Sequence, residues 1–207
     1  MSVCGCPVAA ALPDVVVDAC PVKFGQTQKL IFQRIRKADG TKNFLASVIL
    51  KASWTPLLVA ADGTKVVVSP FVQGPAVEPG GAKMFGGGNA TLGGMEMVIG
   101  KDPTKFTANL FGMAQTTINQ LKALACEEIG VYLVNDRGQI GSKTVDATHH
   151  YPIPVSTFFV GDLKIGGLEE PDANVISFSF APNWSDDFAF QTPTDFDALI
   201  DLFKPVA

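Results

Sequence analysis

Thr104-Lys105-Phe106-Thr107-Ala108-Asn109-Leu110-Phe111 is the stretch from which the fold is read. Phe106, Ala108 and Leu110 fall on one side of an extended chain, and Lys105, Thr107 and Asn109 on the other. That period of two marks a strand with one buried face. Directly afterwards the period changes. Ile118, Leu121, Leu124 and Ala125 recur at helical spacing, which predicts a helix over 114–127 with Ile118, Leu121 and Ala125 close to one line. A hairpin follows, with strands at 130–134 and 139–144 around the turn Asn135-Asp136-Arg137-Gly138.

Working outward, further strands are predicted at 28–36, 44–51, 64–69, 155–160 and 174–181, punctuated by Asp39-Gly40 and Asp62-Gly63. In the last of these, Ile176, Phe178 and Phe180 alternate with Ser177 and Ser179. Residues 163–168 read as a short hairpin partner. A closing helix is predicted at 194–203. Thr192 is placed to cap it, Pro193 stands at its start, and Asp195 and Asp197 suit its positive end. Phe196, Leu199, Ile200 and Phe203 form its apolar stripe, and Pro205 stops it. Strands that follow one another, instead of alternating with helices, predict a mainly β fold: an antiparallel β-sandwich or barrel with one flanking helix and a C-terminal helix.

Two regions stand apart. Residues 1–23 read as an N-terminal arm, because Pro7, Pro13 and Pro21 interrupt any regular element and leave only Val15-Val16-Val17 as a short extended piece. The remaining residues, 24–207, read as one β-sandwich domain. Within it, residues 70–103 carry Gly74-Pro75, Pro79-Gly80-Gly81, Gly86-Gly87-Gly88 and Gly93-Gly94, with a short strand at 95–99. A segment this long with so little periodicity is usually functional or disordered. It is too apolar for a free linker, so it is expected to reach a neighbouring subunit. The expected inter-subunit contact residues are Phe71, Val72, Met84, Phe85, Met95 and Met97, together with Val15, Val16 and Val17 of the arm.

Composition points the same way. Of 207 residues, 47% are hydrophobic and 17% charged, against roughly 25% charged in an ordinary domain. A chain so sparing with charge either has a large core or shields surface against partners. Fifteen Phe against two Trp and two Tyr suit cores and permanent interfaces better than adaptable binding surfaces. The net charge is −4 and the cations are scattered, which speaks against tight binding to a nucleic-acid backbone. An acidic balance suits a wall past which DNA slides. No stretch approaches the ~20 apolar residues of a membrane span, and the N-terminus lacks the basic region of a signal peptide.

Motifs for chemistry are incomplete. Gly100-Lys101 invites a phosphate-loop reading, but Met95 stands where the loop needs glycine and Asp102 where it needs Ser or Thr. Cys4, Cys6 and Cys20 are spaced wrongly for zinc and lack a fourth ligand, so reduced thiols are expected, as for Cys126. His149 and His150 are adjacent in an extended segment and point to opposite faces, which reads as a solvated loop entering a strand. The acid clusters Glu127-Glu128, Glu169-Glu170 and Asp186-Asp187 are the one starting point for a hydrolase, and they read equally well as exposed turns. Trp184 is expected to be an anchor in a pocket. No catalytic, cofactor-binding or metal residues are assigned, and the chain is not expected to be an enzyme or to use a cofactor.

The order of elements resembles the major tail-tube subunits of tailed bacteriophages: a proline-broken arm, a long Gly-rich excursion, a strand, a helix, a hairpin and closing strands. The segments that carry the resemblance are Phe24-Gly25-Gln26-Thr27-Gln28-Lys29, Phe85-Gly86-Gly87-Gly88-Asn89 and Ala181-Pro182-Asn183-Trp184-Ser185-Asp186. The resemblance implies a β-sandwich flanked by a helix, built into stacked, hexameric rings whose strands line a channel for DNA. It implies partners that are copies of the chain and other tail proteins, passage of DNA without sequence-specific binding, no membrane, and a place in the virion after assembly in the host cytoplasm. It assigns no catalytic residues. The C-terminal helix is not part of that family's common core. The alternatives are another virion role (head decoration, tail completion or connector) and a β-sandwich binding module or hydrolase.

Overall fold

The strand at Thr104–Phe111 forms with the expected inward face, and a computed structural model describes residues 23–202 around it. In chain order the elements are β1 (Thr27–Arg34), α1 (Lys51–Val59), β2 (Val66–Val68), β3 (Gln73–Glu78), β4 (Ala82–Gly86), β5 (Glu96–Lys101), β6 (Thr104–Phe111), α2 (Gln115–Ala123), β7 (Ile129–Asn135), β8 (Ile140–Asp146), β9 (His149–Tyr151), β10 (Ile153–Val160), β11 (Ala173–Phe180) and β12 (Phe188–Gln191). All strand pairs are antiparallel. The mainly β, antiparallel architecture is the one expected.

The first sheet runs β2-β1-β7-β8-β12, with β9 also on β8, and the second runs β10-β11-β6-β3. β10 belongs to both. It starts beside β7 (Ile153 opposite Val131) and continues beside β11 (Val155 opposite Phe180). Gly130 permits the crossing, since a Cβ there would stand 2.8 Å from Pro152 Cβ and 3.0 Å from the Ile153 carbonyl oxygen. A bulge between Ser156 and Phe159 then turns Phe158 toward the core and leaves Phe159 outside. Thr157 takes φ 52 at this bulge, a costly conformation for a β-branched residue.

One core lies between the sheets. Phe106, Leu110, Ile176, Phe178 and Phe180 meet Leu30, Phe32, Val131 and Leu133, with α2 adding Ile118 and Leu121. The third contact from the α2 segment is Leu124 and not Ala125, because residues 124–126 tighten into a 3₁₀ turn. A second core covers the other face of β1 and β7. There Ile31, Tyr132, Val134 and Ile140 meet Trp54 and Leu58 of α1, Leu45, and Ala198 and Leu202. β7 is buried along its whole length for this reason.

Four expectations are corrected. Residues 44–51 form no strand beyond a single bridge from Leu45 to His150. The second helix is α1, which brings Trp54 and Leu58 onto the sheet one turn apart. The Trp54 indole packs edge-on to Tyr132 at 5.2 Å and donates to the Val48 carbonyl at 3.1 Å. Residues 194–202 form turns and no C-terminal helix. There Asp197 accepts from the Leu199 amide, Asp201 from the Asp197 amide and Asp195 from the Lys51 amide. The carboxylates thus cap the local turns and the start of α1 instead of leading a helix of their own. Residues 163–168 pair only through Lys164 opposite Ala173.

Candidate assembly surface

The glycine-rich region is a strand followed by a projecting hairpin. β3 joins the second sheet beside β6, with Ala76 opposite Thr107 and Glu78 opposite Lys105. The chain then leaves the sheet as β4 and β5, which pair only with each other. Phe85 lies opposite Met97 and Met84 opposite Val98. The expected strand at 95–99 is thus found slightly displaced, with β4 as its partner.

Glycine is required in the turn. Gly86 has φ 107, and a Cβ there would stand 2.5 Å from Thr91 Cγ2 and 2.8 Å from the Met95 carbonyl oxygen. The Thr91 hydroxyl ties the tip together, accepting from the Gly87 amide at 3.2 Å and donating to the Met95 carbonyl. The base is fixed by Asp102 N–H donating to the Gly81 carbonyl at 2.9 Å and by the Lys83–Asp102 ion pair at 3.1 Å. Lys101 reaches Asn183 at 2.7 Å.

Not one residue from 73 to 103 is buried. Met84, Phe85, Leu92, Met95, Val98 and Ile99 are each at least half exposed. Of the expected contact residues, Met84 and Phe85 stand on β4, Met97 on β5 and Met95 just before it. Phe71 lies on the body, its ring 4.3 Å from the Lys29 ammonium and its edge open to solvent. Val72 belongs to the core at 2% exposure, its N–H donating to the Gln28 carbonyl of β1 at 2.9 Å, and is unavailable to a neighbour. Val15, Val16 and Val17 lie outside the described residues.

The residues weighed for chemistry are spread out. Glu127 receives both arms of Arg34, at 2.8 and 2.6 Å, along a groove of about 370 Å³. Glu170 pairs with Lys164 at 2.7 Å and Asp187 with Lys143 at 3.0 Å. These bonds hold the Glu127 and Glu170 carboxyls below their ordinary range, whereas a general acid needs its pKa raised. Asp146 is held down to about 2, first by its bond to His149 at 2.8 Å and then by the Thr148 amide and hydroxyl. The two histidines do point apart, but only His149 is half exposed. His150 is buried beside the Thr144 hydroxyl, and burial lowers its pKa. Trp184 stacks on Phe180 at 4.4 Å. Among the described residues no three His, Cys, Asp or Glu side chains gather as a metal site would require, and no helix is long and apolar enough to cross a membrane.

The sequence reading missed a second apolar surface at the far end of the β6–β11 sheet. Phe159 and Val175 lie side by side there, 3.7 and 3.8 Å from where a Cβ on Gly161 would stand. Phe111 emerges opposite Ala173. Leu163, Ile165 and Leu168 project from the connection between β10 and β11. Only the isolated apolar residues in 163–168 signalled it, and they read as a strand.

No protein-family model matches the chain, and no curated protein matches it. Among solved structures, it is similar to the tail of an empty GTA particle computed with helical refinement in C6 symmetry. That likeness has 10% identity and a TM-score of 0.32, and covers 59% of this chain and 82% of that one.

Proposed function

We propose that this chain is a structural subunit that assembles with copies of itself, with β4–β5 as the contact arm, and that the assembly is a phage tail tube of stacked, hexameric rings. One observation carries the self-assembly reading: the arm that leaves the sheet, residues 79–103, holds no buried residue yet displays six large apolar side chains that are each at least half exposed. Contiguous apolar surface of this kind marks an interaction site. Among the described residues, 23–202, none is packed over it as a second layer. The tube reading adds the sequence resemblance and the charge pattern. Among the described residues six Lys and Arg side chains are spread over six separate ion pairs, so no basic stripe invites DNA to adhere. DNA then passes along the lumen without sequence-specific contact, the partners are copies of the chain and other tail proteins, and the protein ends in the virion.

The test is mass and shape against concentration. Native mass spectrometry and negative-stain electron microscopy are expected to show rings or tubes as the protein is concentrated. A chain that stays monomeric into the high micromolar range overturns the proposal.

A further inference from the structure

The two apolar surfaces differ in shape, and they sit at opposite ends of one sheet. The β4–β5 arm leaves where β6 begins, at Thr104, and the second surface gathers where β6 ends, at Phe111 opposite Ala173. Along the strand direction the second surface runs from Phe159, level with Thr107, past Val175, opposite Asn109, to Phe111, so it lies about 10–24 Å from where the arm leaves. From this we infer that the arm of one copy seats on the Phe159–Val175 end of the next copy, so that the subunits join head to tail. The inference rests on the self-assembly reading above and names the face that receives the arm.

Area and charge both favour this pairing. With roughly 200 Å² for a fully exposed large side chain, Met84, Phe85, Leu92, Met95, Val98 and Ile99 offer about 800 Å². On the same basis Phe111, Phe159, Leu163, Ile165, Leu168 and Val175 offer about 750 Å². Each matches the ~800 Å² that one partner contributes to a standard interface. The arm is electrically neutral: Lys83 and Lys101 balance Glu96 and Asp102, and nothing between Met84 and Met95 is charged. The receiving end is acidic, with Asp162, Glu169, Glu170 and Asp172 against Lys164 and Lys122, the latter paired with Asp162 at 2.6 Å. Two receiving ends therefore repel each other, while a neutral apolar arm meets no such barrier. An interface between unlike surfaces propagates into a ring or a filament, where a self-matching one stops at two copies.

Two surface variants test this. L92D/M95D spoils the arm and I165D/L168D spoils the receiving end. All four positions are exposed, so circular dichroism should show the parent fold for both. Each variant alone is expected to lose self-association by ~100-fold or more, as when a buried apolar contact must accept an unpaired charge. Mixed in equal amounts, they are expected to form a complex of just two chains, joined by the one intact arm and the one intact receiving end. If I165D/L168D alone assembles like the parent, the arm docks elsewhere and the inference is overturned, although the self-assembly reading stands. If the parent itself never associates, that reading fails first.

Discussion

Excision of the β4–β5 arm should separate assembly from folding. The two ends of the arm already touch: Asp102 N–H donates to the Gly81 carbonyl at 2.9 Å, and a Cβ on Gly80 would stand 1.8 Å from the Asp102 carbonyl oxygen. An Asn-Gly turn in place of residues 82–101 therefore spans the gap with ordinary hairpin geometry. The body loses little. The Lys83–Asp102 pair joins half-exposed side chains, worth ~0–1 kcal/mol, and the exposed Lys101–Asn183 bond adds about 1 kcal/mol at most. No buried side chain is removed, so no cavity opens. Shortening the connection tenfold returns up to ~2 kcal/mol of closure entropy, less whatever the arm's own pairing already supplies. The net change is expected to stay within ~1.5 kcal/mol of the parent. Urea unfolding followed through Trp54 and Trp184 measures it, at a concentration where both proteins are monomeric. The same variant should remain monomeric where the parent assembles. A loss beyond ~3 kcal/mol would mean that the arm is built into the body, contrary to the burial pattern.

Other changes probe the body. Trp54→Ala should cost about 3–5 kcal/mol in denaturant unfolding, because the indole is fully buried against Tyr132. Asp195→Ala removes the acceptor for the Lys51 amide and should cost about 1 kcal/mol, far more than a surface change at Asp186 costs. Thr157→Gly relieves a left-handed β-branched residue but gives up its hydroxyl bond to Ser179 at 2.9 Å and adds freedom to the unfolded chain, so stability should stay within about 1 kcal/mol of the parent, read from the Tm. The Asp146 carboxyl, held down to about 2 from 3.8, contributes stability that is complete above pH 4 and drains away as pH falls toward 2. His149→Ala should move its NMR titration midpoint upward, and an unchanged midpoint would show that the His149 bond is not its main support.

Legibility followed locality. Residues 104–111 and 173–180 read correctly because each strand has one buried and one open face, so period two is written in the side chains. β7 is buried on both faces, and only its apolar, β-branched run betrayed it. α1 was invisible for a different reason. Pro56 and Thr55 argue against a helix there, and what holds it is supplied from afar: Tyr132 beneath Trp54, and Asp195 at its first amide. The same Asp195 produced the false C-terminal helix, since a carboxylate that caps one helix from a distance looks locally like the start of another. The arm was recognisable from its glycines and its apolar content, and its reach toward a neighbour was expected. Where it begins was not legible, because Val72 and Phe71 are equally apolar and lie on the body.

The pairing of β1 with β7 joins residues about one hundred positions apart, with Thr27 opposite Asn135. On a ribosome adding 5–20 residues each second, Leu30, Ile31 and Phe32 emerge some 5–20 seconds before their partners exist. During that interval a greasy strand edge waits without cover, and closing so long a loop is intrinsically slow. Yield in a cell should therefore depend on holdase capacity and growth temperature more strongly than the equilibrium stability of the finished subunit would suggest.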